Sequence, residues 1–384
     1  MESQRAGREA AEEAMKNLKV PKADAAVVLA SSVFNQAEML AGIREVTGDI
    51  PTVGCTAAGV ITNSGPHEQA VAVLLLQSDV SSFHPIKIEK ISQDMRKAGA
   101  AFGDAVKSVA DGKAKMALIF SDALSGNGTE LVRGVLTSLG AQFPLVGGAA
   151  GDDMNFKQTF QYFNGEALND AAVGLAIGGE MKLAVGADHG WQPFGTAHTV
   201  TKAKGTTLFE LDGKPAFSIY EDYFGKRASD FKSALSLAAV SYPLGMKIEN
   251  VEGIMIRVPL KVNDDGSIVC GAEVLEGSTI TLMIGTVSSA LWAAKDTSRK
   301  LSERVKDARP KVIFVSDCVA RKILYGERGN EEIQEIRTQA GEAAELFGFY
   351  SYGQIAPLGE SEVNVNTCDP GFYEQSISLA IFGE

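Results

Sequence analysis

The chain has 384 residues, 45% of them hydrophobic and 22% charged, with a formal net charge of −12 and a pI near 5.0. That length exceeds what one core usually supports, so two domains with sizeable cores are expected. The acidic balance excludes a nucleic-acid surface, which needs a basic stripe. No run approaches the roughly 18 apolar residues of a membrane span, and the opening MESQRAGREAAEEAMKN lacks a signal-peptide core. Cys55, Cys270, Cys318 and Cys368 are widely spaced with no CxxC, as expected of a chain kept in the reducing cytoplasm.

In chain order, AGREAAEEAMKNL (6–18) has helical spacing and DAAVVLASS (24–32) reads as a strand covered on both faces. A second helix then leads to the glycine-bearing turn PTVGCTAAGVITNSG (51–65) and a further strand, QAVAVLLLQ (69–77). The same order returns from RKAGAAFGDAVKSVA (96–110) through KMALIFSD (115–122) and a helix with Leu131, Val135 and Leu139 on one face. It continues with PLVGGAAGDD (144–153) and AAVGLAIGG (171–179). It returns a third time from AKDTSRKLSERVKDA (294–308) through KVIFVSD (311–317), a helix carrying Ile333, Ile336 and Ala340, LFGFYSYGQIAPLG (346–359) and QSISLAIFG (375–383). The sequence therefore predicts three α-β-α-β-β units, at about 1–80, 90–180 and 289–384.

Between the second and third units, 181–225 is expected to form strands closing a first domain. The turn at Asp212 and Gly213 and a helix from Pro215 follow from its ending. IMIRVPLKV (254–262), SIVCGAEV (267–274) and TITLMIG (279–285) read as strands joined by hairpin turns at NDDG and LEGS. In each unit the helix-joined strands are expected to be parallel, with the last strand returning antiparallel by a short connection. The predicted fold class is α/β: two pseudo-equivalent domains, 1–218 and 219–384, of mixed sheet with flanking helices, packed together rather than tethered.

Several dispersed motifs stand in a fixed order: VGCTAAG (53–59), PLVGGAAGDD (144–153), ELDGKPAFSIY (210–220), VIFVSDCVARKILYGER (312–328) and GFYSYGQI (348–355). This arrangement resembles the FIST family over about residues 20–384, with an amino-terminal FIST domain followed by a carboxy-terminal one. The resemblance implies an intracellular sensory module for a small ligand, an amino acid or related carboxylate, read by a signalling partner in trans. It also implies a stand-alone FIST protein, since the chain leaves no room for an output domain. Three positions depart from the family's pattern. Val60 and Gln354 stand where acidic residues are usual, and FYEQS (372–376) replaces a motif resembling FHNQT, which brings in Glu374.

Residue by residue, the glycine turns expose backbone N–H groups that hold anions, Gly147 and Gly148 beside Asp152 and Asp153 most densely. Tight packing between units explains the same glycines. None is a Walker loop, no metal-ligand spacing is present, and no cofactor is implied. Adjacent Asp152 and Asp153 are too few for a metal and suit turn capping. Cys55, beside Thr56 in the first turn, and Cys318, at a strand end, are candidate nucleophiles for a cysteine-dependent hydrolase or transferase. A buried, idle thiol is the plainer reading. Arg321 offers a planar fork to a ligand carboxylate, or an internal ion pair to Glu327, Glu331 or Glu332. Tyr350 and Tyr352 point to opposite faces, so one packs while the other is free to line a cavity, with Gln354 and Glu374 orienting the ligand. A scaffold with no ligand is the third reading.

Overall fold

A computed structural model describes residues 2–18, 20–249, 253–357 and 371–383, so Cys368 lies outside the described residues. The chain begins with α1 (Glu2–Leu18), β1 (Ala25–Ser31), α2 (Gln36–Thr47), β2 (Thr52–Ala57), β3 (Val60–Thr62), β4 (Gly65–His67) and β5 (Val71–Leu76). β6 (Ser81–Glu89) leads into α3 (Met95–Ser108), β7 (Ala114–Ser121), α4 (Gly128–Leu139), β8 (Leu145–Ala149), β9 (Gln161–Phe163), β10 (Glu166–Leu168) and β11 (Ala171–Gly179). A middle stretch holds β12 (Lys182–Asp188), β13 (Gln192–Pro193), β14 (His198–Lys204), β15 (Thr207–Leu211), β16 (Lys214–Pro215), α5 (Ser218–Phe224), α6 (Ala228–Ser233) and α7 (Leu235–Ser241). It continues as β17 (Leu244–Lys247), β18 (Met255–Arg257), β19 (Pro259–Val262), β20 (Ile268–Cys270) and β21 (Thr279–Ile284). The last part is α8 (Val287–Arg304), β22 (Pro310–Cys318), α9 (Val319–Tyr325), α10 (Gly329–Ala340), β23 (Glu345–Ser351), β24 (Gly353–Ile355), β25 (Phe372–Tyr373) and β26 (Ile377–Gly383).

The result is mixed α/β with several mixed sheets and flanking helices. β1, β7 and β22 each run parallel to the turn strand of their own unit, β2, β8 and β23. Each also runs antiparallel to the last strand, β5, β11 and β26. In all three pairs a glycine of the turn strand, Gly54, Gly147 or Gly348, faces the first strand. An added Cβ would sit 1.8, 1.9 and 2.1 Å from the carbonyl oxygens of Val28, Ile119 and Val315. Close backbone approach therefore demands glycine at these positions.

The return from turn strand to last strand is not short, because a two-stranded excursion is inserted. Each excursion joins a different sheet from its own: β3 pairs with β23, β9 with β2, and β24 with β8. The three sheets are thereby interlocked in a cycle. Their strand orders are β10-β9-β2-β1-β5, β25-β24-β8-β7-β11-β6 and β12-β26-β22-β23-β3-β4.

The strands of 181–225 divide: β12 covers the edge of β26, satisfying its backbone groups, while β14 and β15 enter a nine-stranded sheet with β17 to β21. Within that sheet β19 and β20 form the expected hairpin, but β20 and β21 lie apart, so LEGS joins strands that do not pair. The Asp212–Gly213 turn is as expected, both residues taking left-handed φ values of 51° and 76° between β15 and β16.

Period-two alternation decides where the core sits. Met116, Leu118 and Phe120 of β7 face inwards with Leu29, Cys55, Phe314 and Phe349 into one cluster shared by all three sheets. At its centre the rings of Phe120, Phe314 and Phe349 lie 5.8–6.3 Å apart. Ala117 and Ile119 face outwards against Phe102 of α3 and Leu131 and Val135 of α4. Ile333 and Ile336 of α10 cover the third sheet in the same way.

Candidate ligand-binding cleft

The three turns meet. Ala58 N–H donates to Tyr350 O and Tyr350 N–H to Gly59 O, each at 2.9 Å. Gly151 N–H donates to Thr56 O and Tyr352 N–H to Ala149 O, each at 3.0 Å. Beside this junction lies a cleft of about 460 Å³, within the range of small-molecule sites. Three parts of the molecule wall it. Ser121 to Gly128 come from the end of β7 and the start of α4. Cys318, Val319, Ala320 and Ile323 come from α9 and its entry, with Phe372, Glu374 and Gln375 beside them. Ser236, Leu237, Val240, Val258 and Leu260 come from α7 and the strands below it.

The mouth of the cleft is apolar. Leu124, Met154, Phe156, Leu237, Leu260 and Ile323 are all exposed there. These account for more than half of the exposed large apolar residues among the described ones, a concentration unlike the single, scattered apolar residues of ordinary surface. Phe156 stacks on Tyr352 with ring centroids 4.5 Å apart. The loop carrying Phe156 holds Asp153, Met154 and Phe156 at φ values of 53°, 65° and 51°, a conformation that costs free energy and must be held in place. Asp152 holds it, accepting from the N–H groups of Phe156, Lys157 and Gln158 and from the Tyr352 hydroxyl at 2.5 Å. Burial alone would raise the Asp152 pKa. The hydrogen bonds from Tyr352, Lys157, Gln158 and Phe156 outweigh it and hold the carboxyl below its ordinary value. Asp153 instead ties the loop to Ser31 and Ser32. Both aspartates thus organise turns, and among the described residues no group of three or more His, Cys, Asp or Glu is placed to hold a metal.

The candidates divide sharply. Cys318, Tyr352 and Glu374 line the cleft, with Asp152 behind Tyr352. Cys55 and Thr56 are fully buried, Cys55 in the shared core and Thr56 bridging to Phe160. Gly147 and Gly148 are walled in by backbone and by Ser316. Gln354 is also internal: Nε2 donates to Ser351 Oγ at 2.9 Å, and Oε1 accepts from Ser376 N–H. None of these lines the cleft. Burial pushes the Cys318 thiol up to about 11, against the opposing effect of the Ala320 and Gln375 N–H groups, and it pushes Cys55 far up. Neither is an activated thiol.

Arg321 takes the second of its two readings, an internal ion pair to Glu332. It is fully buried on the side of α9 away from the cleft. Its guanidinium meets Glu332, with Asp317 Oδ1 at 3.0 Å, and donates to His189 O, Ala290 O and the Tyr325 hydroxyl. The Trp191 and Tyr325 rings flank it at 5.9 and 5.6 Å. Burial opposes its charge, but Glu332, Tyr325 and Asp317 more than compensate and raise its pKa. Asp317 is pushed well above the ordinary carboxylate value by burial first and Glu332 second. Tyr350 is buried on this same side, with the Lys322 ammonium 5.7 Å from its ring. Arg321 is internal because Asp317, four residues earlier near the end of β22, meets it on one side and Glu332 of α10 on another.

Sequence reasoning missed Asp122, Gln375, Phe156 and the α7 wall. Asp122 was detectable: it ends FSD as Asp317 ends VSD. Gln375 lies in a quoted motif, but its left-handed φ of 51° has no sequence signal.

Residues 24–214 match the FIST N domain and residues 216–357 the FIST C domain. The chain belongs to the FIST family, whose domains are associated with sensory and signalling roles. An uncharacterized protein of Methanocaldococcus jannaschii is 26% identical over 342 residues. The match spans 79% of this chain and 63% of that protein. Among the described residues no helix is long and apolar enough to cross a membrane.

Proposed function

We propose that this chain is a small-ligand sensor and that the cleft is its ligand site. The observation that carries the proposal is the ring of exposed apolar side chains around a concavity walled by both halves of the chain. Taking 1–218 and 219–384 as the two domains, the first supplies Ser121–Gly128 and the second supplies α7 and α9. A ligand seated between them alters their packing by as much as its affinity differs between the two arrangements, and a partner protein in trans reads the change. Buried, unactivated thiols give the cysteine-enzyme reading no support.

The test is hydrogen exchange with and without a ligand found by thermal-shift screening. The proposal expects protection in 122–128, α7 and α9 together. Stabilisation with protection confined to one half, or to another surface, contradicts it.

A further inference from the structure

We infer that the ligand is an apolar molecule bearing a protonated amine, and that Glu374 and Gln375 receive that amine. This rests on the reading of the cleft as the ligand site. No Lys, Arg or His is among the described residues lining the cleft. Two carboxylates are, and they enter from opposite walls: Asp122 at the end of β7 and Glu374 beyond β25. Asp122 accepts from Leu124 N–H at 2.9 Å, Thr159 Oγ1 at 2.8 Å and Asp170 N–H at 2.9 Å, all uncharged donors. Among the described residues no cation pairs with Asp122, and a carboxylate ligand beside it would meet repulsion.

Gln375 is the independent observation. Its side chain is fully buried in the cleft wall, with Nε2 donating to Ala239 O at 2.7 Å. That bond leaves Oε1 as a buried acceptor with no partner among the described residues. An unpaired buried acceptor is costly, and a ligand N–H removes the cost. Glu374 Oε2 takes the Val258 N–H at 3.1 Å, which fixes the carboxylate next to Gln375 in sequence and on the same wall. The rings of Tyr352, Phe156 and Phe372 line the same cleft, and aromatic rings attract a cation. At the start of α4, beside the cleft, Asn127 accepts the Thr129 N–H at 3.0 Å, so that donor is already taken. Arg321, the cation that would hold a carboxylate, is sealed behind α9.

The test is calorimetric titration of the full chain with 2-phenylethylamine, 2-phenylethanol and 3-phenylpropionate, which share an apolar body and differ in the polar head. The amine is expected to bind about tenfold or more tightly than the alcohol, as a charged hydrogen bond implies, and the carboxylate not at all. Glu374→Gln should erase the amine's advantage while leaving alcohol binding in place. Equal binding of amine and alcohol to the wild type, preferred binding of the carboxylate, or no binding of any of the three overturns the inference whether or not the variant folds. Ser236→Trp, placed at the exposed rim of α7, separates the two claims. Alcohol binding lost in that variant upholds the cleft even where the amine preference fails; alcohol binding unchanged by it overturns the cleft as well.

Discussion

Asp122 follows directly on β7 and Asp317 is the last residue but one of β22, each after a serine, yet their surroundings are opposite. Asp317 is followed at once by α9, which returns Arg321 one turn later, and Glu332 from α10 completes a charge cluster with no space left. Asp122 is followed by a loop with no cation, its oxygens take neutral donors, and the space beside it stays open as the cleft. One junction is filled by its own arginine; the other is left for something else to fill. α9 divides them, with Arg321 on one face and Cys318, Ala320 and Ile323 on the other.

On that contrast, breaking the filled side costs more stability than breaking the open side. Arg321→Ala should cost about 3–5 kcal/mol in denaturant unfolding, because it leaves buried carboxyls uncompensated; a loss under about 1 kcal/mol would break the comparison. Asp122→Ala strands the Leu124 and Asp170 N–H groups and the Thr159 hydroxyl, and should cost about 1–3 kcal/mol by the same measurement. The mouth loop should respond to acid. The folded-state pKa of Asp152 lies below the ordinary value of 3.8, so its contribution is complete above that value and is lost as pH falls through the lower one. The near-ultraviolet circular dichroism of the Phe156–Tyr352 stack should therefore hold constant down to that region and then decline, and Asp152→Asn should flatten the acid limb. Ser236→Trp, on exposed surface, should move unfolding by less than about 0.5 kcal/mol.

The units' strands and helices were legible because burial on both faces writes continuous apolar runs and helices write Leu131 and Val135 one turn apart. The glycine turns were legible too, although what they meant was not: Gly54, Gly147 and Gly348 look alike whether they cradle an anion or clear a carbonyl. The exchanged excursions were hidden because β3, β9 and β24 are three residues long and pair with strands far away in sequence, as Val60 does with Phe349. Arg321 was half legible, since Asp317 stands four residues earlier, near the end of β22 and within reach of the guanidinium. The cleft itself was illegible, because Leu237, Phe156 and Gln375 come together only through the interlocking of the sheets.

The most direct test is a fluorescence titration of the neutral apolar dye Nile red into wild type and Ser236→Trp. The account predicts saturable binding with bright, blue-shifted emission in the wild type, and loss of that signal in a variant that melts at the wild-type temperature. Equal, saturable binding to both proteins, or none to the wild type, would contradict the claim that the cleft receives a ligand.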